Sequence, residues 1–181
     1  MVSAAGDILR RDGYAGLTME RVAGESGVAK TTLYRRWPTK AALCMELYLD
    51  VAGRGLRDPD TGDVARDLKQ IADAVVNLQK NTVAGPAFIG LLAEAQLCPE
   101  TRPAFLAEFA DRRRALTRTV LSRAIARGQL RADTDIDLVI DVIGGATTFR
   151  LLQGHAPLSK KFTSDLVDLV LSGCLAKERR S

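Results

Sequence analysis

Residues 18–40, TMERVAGESGVAKTTLYRRWPTK, restrict what this chain can fold into more than any other stretch. Thr18 can accept a hydrogen bond from the free amides of a helix's first turn. Arg21, not an acid, lies three residues on, so the reciprocal capping box is absent. Met19, Val22 and Ala23 then give one apolar face, and Gly27 stands where that helix stops. Gly27-Val28-Ala29 reads as a tight turn and residues 30–37 as a second short helix. Leu33 and Trp37, four residues apart, face inward with Val28. Pro38 stops the second helix and biases Trp37 away from the helical region.

The flanks are helical too. Residues 2–12 set Ala5, Ile8 and Leu9 on one face, with Gly13 just past the end. Thr39 caps a longer helix to about Gly53, with the stripe Ala42, Leu43, Leu47 and Val51. Gly53, Gly55, Asp58-Pro59 and Gly62 then form a polar, glycine-rich linker, the best candidate boundary. Beyond it, helical periods run over 63–80, 86–98, 103–127, 135–154 and 162–177, with Gly128 ending the third. No sustained period-2 alternation calls for a sheet. The expected fold is all-α with about nine helices: an N-terminal three-helix module, residues 1–52, and a larger helical domain, residues 53–181.

Composition limits the chemistry. Cys44, Cys98 and Cys174 are far apart with no CxxC spacing, and His155 is the only histidine. Neither a zinc site nor a disulfide framework is expected, each cysteine reads as a small buried apolar side chain, and a reducing, cytoplasmic compartment fits. With no metal-ligand cluster and no phosphate loop, no catalytic residue, metal or cofactor is assigned. Asp7 and Arg10 come too early for a signal peptide, and no run of 18 apolar residues predicts a membrane span.

Charge is concentrated where the short helices are. The net charge is +4, and residues 30–40 hold Lys30, Arg35, Arg36 and Lys40 with no acid. Such a patch suits a polyanion, although a solvated helix face is an equal reading of charge alone. The dimensions match a DNA-binding helix-turn-helix, whose first helix braces a second that enters the major groove. Val22, Ala23, Val28 and Leu33 can supply the brace. Lys30, Thr31 and Arg35 are then candidate base readers. Thr18, Thr32, Tyr34, Arg36 and Lys40 are candidate phosphate anchors. Two ordinary packed helices with a basic surface remain the alternative, and for Tyr34 a partly buried core position.

This segment resembles the TetR family of bacterial regulators. The likeness is carried by Thr18, Gly27-Val28, Thr32-Leu33-Tyr34, Arg36, Trp37, Pro38, Thr39 and Lys40, with Asp12-Gly13-Tyr14 upstream. It spans residues 5–50; further on it is one of length and helix content. Ala29 stands where serine is common, Thr31 where glycine is, and Arg36 where histidine is frequent. No basic arm precedes the first helix in this sequence, unlike many relatives. The resemblance implies a homodimeric regulator of double-stranded DNA, a repressor on a palindromic operator, whose C-terminal helices bind a small-molecule effector of unknown identity.

Dimerisation has separate support. The helix at 135–154 has two apolar stripes, Ile136, Val139, Ile140, Ile143 and Leu138, Val142, Gly145, Phe149, Leu152. A helix apolar on two faces is buried on two sides. Leu166, Leu169 and Val170 on the last helix extend the second stripe into a four-helix interface with a second copy. For an effector, Phe88, Leu91, Leu92, Phe105 and Phe109 offer an apolar lining and Thr147 and Arg150 polar contacts, with plain core as the competing reading. Thr148, His155, Glu94 and Gln96 are further polar candidates, and Arg112-Arg113-Arg114 reads as a solvated run. A regulator governed by a protein partner, with no effector, and more distantly an all-helical enzyme, are the alternatives.

Overall fold

The computed structural model describes residues 1–174, so the expected extension of the last helix over 175–177 and the packing of the Cys174 side chain lie outside the described part. Nine helices and no strand make up that part. They are α1 (Val2–Gly16), α2 (Met19–Ser26), α3 (Lys30–Arg36), α4 (Lys40–Gly55), α5 (Val64–Asn81) and α6 (Ala84–Leu97). Then follow α7 (Arg102–Ala104, Phe105–Ala110 and Asp111–Ala126 in one run), α8 (Ile136–Gln153) and α9 (Lys160–Cys174). No described helix is long and apolar enough to cross a membrane.

Local chemistry sets most boundaries. Gly13 takes a left-handed φ of 67° and kinks α1, and the chain makes one more turn before Leu17. Thr18 accepts from the Arg21 amide at 3.2 Å, and Thr39 accepts from the Ala42 amide at 3.1 Å. Asp135 caps α8 in the same way through the Leu138 amide at 3.0 Å.

Two expectations change. Gly53 and Gly55 belong to α4 and not to the linker, because helix hydrogen bonding continues through them. The run at 103–127 is one rod in sequence but not in winding. Phe105–Ala110 forms a π turn, and the Asp111 amide bonds to the Leu106 carbonyl. That wider turn lets Phe105 and Phe109 share a core, with ring centroids 5.3 Å apart.

Packing divides the chain into two compact units that do not follow chain order. The first comprises Met1–Gly55 and Asn77–Asp111, so α6 packs on α1 and α4. Its core holds Ile8, Leu9, Leu33, Trp37, Leu43, Leu47, Tyr48, Phe88, Leu91 and Phe109. The second comprises Leu56–Val76 and the chain from Arg112 onward. Val64, Leu68, Ile71, Val120, Leu121, Val139, Ile140, Val167 and Leu171 fill its core. Residues 56–63 are no loose linker within that unit. Arg123 grips Asp58 through two hydrogen bonds at 2.8 and 3.0 Å, and Arg127 grips Asp60.

Candidate nucleic-acid interface

The corner between α2 and α3 is built by backbone chemistry. Gly27 adopts φ 68°, a left-handed value open to glycine at little steric cost, and the Val28 amide returns to the Ala23 carbonyl at 3.2 Å. Ala29 precedes α3 and gives its first turn no side-chain cap. Trp37 ends α3 in an extended conformation ahead of Pro38, as the proline rule requires. Leu33 is fully buried and Trp37 is 2% exposed, and the indole N–H donates to Glu46 at 2.8 Å.

That anchoring fixes what the rest of α3 presents. Residues four apart lie on one side of a helix. Thr31 and Arg35 therefore form one exposed ridge, opposite the buried Leu33 and Trp37. Arg35 is the one cation of Lys30, Arg35, Arg36 and Lys40 with no carboxylate at ion-pair distance among the described residues. Lys30 and Tyr34 share the next face and both lean to Glu20 of α2, at 3.7 and 3.3 Å. Tyr34 is 43% exposed, which removes the core alternative. Lys30 and a backbone hydrogen bond lower the Glu20 pKa, the backbone bond foremost. Thr32 is half-buried on the other flank, and Arg36 there pairs with Glu46 at 2.7 Å while covering the Trp37 ring at 4.7 Å.

Two predicted anchors sit differently from the rest. The Thr18 oxygen is taken by the Arg21 amide, which leaves the O–H to donate. Lys40 turns its ammonium over the Tyr14 ring at 4.4 Å, with Glu94 at 4.0 Å. Glu20, Glu46 and Glu94 hold Lys30, Arg36 and Lys40, pairings that the sequence does not announce. Arg36 and Glu46 lie ten residues apart, a spacing that carries no helical signature. Arg21, which makes no capping box, has another role. It donates to the Gly16 carbonyl at 2.7 Å and pairs with Asp12, fixing α2 to the end of α1.

A family model described as "Bacterial regulatory proteins, tetR family" matches residues 2–47. A second, "Tetracyclin repressor-like, C-terminal domain", matches residues 58–170. The chain belongs to the TetR family. A DNA-binding transcriptional repressor TetR of Mycobacteroides abscessus is 35% identical over 174 residues, 94% of this chain and 90% of the relative. An uncharacterised transcriptional regulator of Bacillus subtilis, YdeS, is 30% identical over 178 residues, 97% of this chain and 88% of the relative. The crystal structure of the TetR family transcription regulator SCO0332 superposes with a TM-score of 0.82 at 37% identity, covering 95% of this chain and 94% of that one. The helix-turn-helix is thus the DNA-binding element of a TetR-type transcriptional regulator, and the enzyme alternative falls with that membership.

The other predicted residues of this TetR-family chain fall in two groups. Leu138, Val142, Phe149 and Leu152 are 43–59% exposed on α8, beside the exposed Gly145, and Leu169 on α9 is 72% exposed. Leu166 and Val170 are less exposed. Leu166 is 8% exposed and Val170 packs on the second unit's own core, because positions four apart on α9 follow the inward side. Of the effector candidates, Phe88, Leu91, Phe105 and Phe109 are buried in the first unit and Leu92 is half-buried. Tyr48 joins them with its ring 4.9 Å from Phe109, edge-on. Thr147 and Arg150 lie in the second unit and are engaged there. Thr147 donates to the Ile143 carbonyl at 2.8 Å, and Arg150 stacks on Phe162 at 3.8 Å. Arg114 is no solvated run, since it pairs with Asp137 at 2.9 Å and with Asp141. Burial raises the Cys44 thiol to about 12, which suits an inert core position.

Proposed function

We propose that this chain is a cytoplasmic homodimeric repressor that reads a palindromic operator and is released from it by a small-molecule effector. The observation that carries the reading is the Thr31–Arg35 ridge, exposed and held outward by the buried Leu33 and Trp37. Thr31, Arg35 and Lys30 read base edges, while Thr18, Thr32, Tyr34 and Arg36 hold phosphates. Lys40 joins the phosphate set by sharing its charge with Glu94. Residues 1–52 make the reading head and residues 53–181 carry dimerisation and the effector.

The dimer reading rests on Leu138, Val142, Gly145, Phe149 and Leu152, an exposed stripe along one side of α8, with Leu169 exposed on α9. Two copies align two heads on two half-sites. The effector's apolar wall is assigned to Phe88, Leu91, Leu92, Phe105 and Phe109. By linkage, the effector binds the DNA-free form more tightly.

Sedimentation with and without duplex DNA tests the assembly. The account predicts two 19.6 kDa chains per particle and two per operator, and a monomer for Phe149→Asp. A wild-type monomer that binds DNA as one copy would overturn it.

A further inference from the structure

Glu20 stands on the first turn of α2, where the positive end of the helix dipole favours a carboxylate. Met19, Val22 and Ala23 turn inward and leave Glu20 on the outer side of that helix. A single oxygen of Glu20, Oε1, takes partners from two positions of α3. The Lys30 ammonium lies at 3.7 Å, and the Tyr34 hydroxyl donates at 3.3 Å. Lys30 and Tyr34 are one turn apart, so one carboxylate spans the face they share. Its own backbone N–H first, and then Lys30, hold the Glu20 carboxyl below its ordinary range. Glu20 is therefore an anion at neutral pH, fixed against the start of the recognition helix.

A lone lysine is a flexible point charge that takes whatever phosphate it can reach. A free Lys30 would add affinity for every duplex and discrimination for none. Paired with Glu20, it keeps its N–H donors but loses its net attraction for an anion. A phosphate on Lys30 would stand within a few ångströms of the carboxylate and be repelled by it. A base edge is neutral and meets no such repulsion. Glu46 works differently. Its second oxygen accepts from the Trp37 indole at 2.8 Å, so it keeps a partner when Arg36 swings to a phosphate.

We propose that Glu20 is a specificity-determining residue of the reading head, which neutralises Lys30 so that the ammonium engages a guanine edge and not a phosphate. With one N–H directed to Glu20, Lys30 keeps two donors. Guanine presents two neighbouring acceptors, O6 and N7, in the major groove. Tyr34 steadies the carboxylate from the same face until a phosphate takes its hydroxyl hydrogen. The inference rests on the assignment of Lys30 to base readout above and adds the residue that enforces it.

Anisotropy titrations over a salt series test it, with the duplex that wild type selects from a randomised pool and a scrambled duplex of the same composition. Wild type and Glu20→Gln are compared, each with and without Lys30→Met. Glu20→Gln should bind the scrambled duplex about fivefold more tightly near physiological salt and the selected duplex with a smaller gain, so the ratio between them falls. The gain should shrink as salt rises, which a purely structural role would not produce. In the Lys30→Met background, Glu20→Gln should change both affinities by one common factor, because only direct repulsion of the duplex remains. An unchanged ratio for Glu20→Gln would overturn the proposal, as would a fall that persists without Lys30 or a gain indifferent to salt. Glu20 is exposed, so Glu20→Gln should melt close to wild type, and a large drop in melting temperature would mark a structural residue and overturn the proposal too. A wild type that selects no sequence would sink the operator reading and this inference together. A selected sequence with an unchanged ratio sinks this inference alone.

Discussion

Tyr14 donates its hydroxyl to Glu94 at 2.7 Å, joining residues 80 positions apart. The bond ties the end of α1 to α6, and Lys40 at the start of α4 lies over the same ring. Burial, and then the Glu94 carboxylate, push the Tyr14 pKa above its ordinary value. Tyr14→Phe should cost about 1–2 kcal/mol in denaturant unfolding near neutral pH. The sign of the pH effect follows. A folded-state pKa above the unfolded one gives stability that is complete below about pH 10 and is lost as pH rises further. The gap between wild type and Tyr14→Phe should therefore narrow in alkali; a gap that stays constant would refute this coupling.

Gly90 makes room for that ring. A Cβ at Gly90 would run into Tyr14, whereas one at Gly144 would meet nothing within 4 Å. Gly90→Ala should destabilise by about 1–3 kcal/mol through overpacking, despite alanine's better helix propensity. Gly144→Ala should not destabilise the isolated chain. Melting of both variants checks the contrast, and equal melting temperatures would contradict it.

The recognition helix starts without a side-chain cap, because Ala29 holds the cap position with φ −58° and ψ 138°. Serine accepts that backbone and offers an oxygen to the first-turn amides. Ala29→Ser should stabilise the reading head by about 1 kcal/mol, read as a shift in the unfolding midpoint. No shift would mean that these amides are already satisfied.

Much of this was legible in the sequence, and the limits have physical causes. Thr18, Gly27, Pro38 and Thr39 announce the corner because capping, left-handed backbone and proline exclusion act within a few residues. The two stripes of α8 separate by periodicity alone, one inward and one exposed. On α9 the periodicity grouped Leu166, Leu169 and Val170, whereas in the fold Leu169 is exposed, Leu166 is buried and Val170 is partly buried, since a stripe shows which residues share a side but not how deep each one lies. The π turn left no trace, because widening a helix by one residue preserves the apolar spacing around it. Long-range partners such as Tyr14 and Glu94 are invisible without the fold.

Arg36 is held by Glu46 at 2.7 Å, so it reaches a phosphate by exchanging one anion for another. Arg36→Ala should weaken binding across all duplexes. It should also reduce the slope of log affinity against log salt by about 0.9 for each phosphate that the arginine neutralises. An anisotropy titration over a salt series measures this, and an unchanged slope removes Arg36 from the phosphate set.

The central claim, that α3 reads DNA through its outward ridge, is tested most directly by selecting bound duplexes from a randomised pool. Wild type and Thr31→Ala would be run in parallel and the recovered sequences read. The account predicts an inverted repeat for wild type, and for Thr31→Ala a changed preference at the same position in both half-sites. No enriched sequence for wild type, or an identical repeat for both proteins, would contradict it.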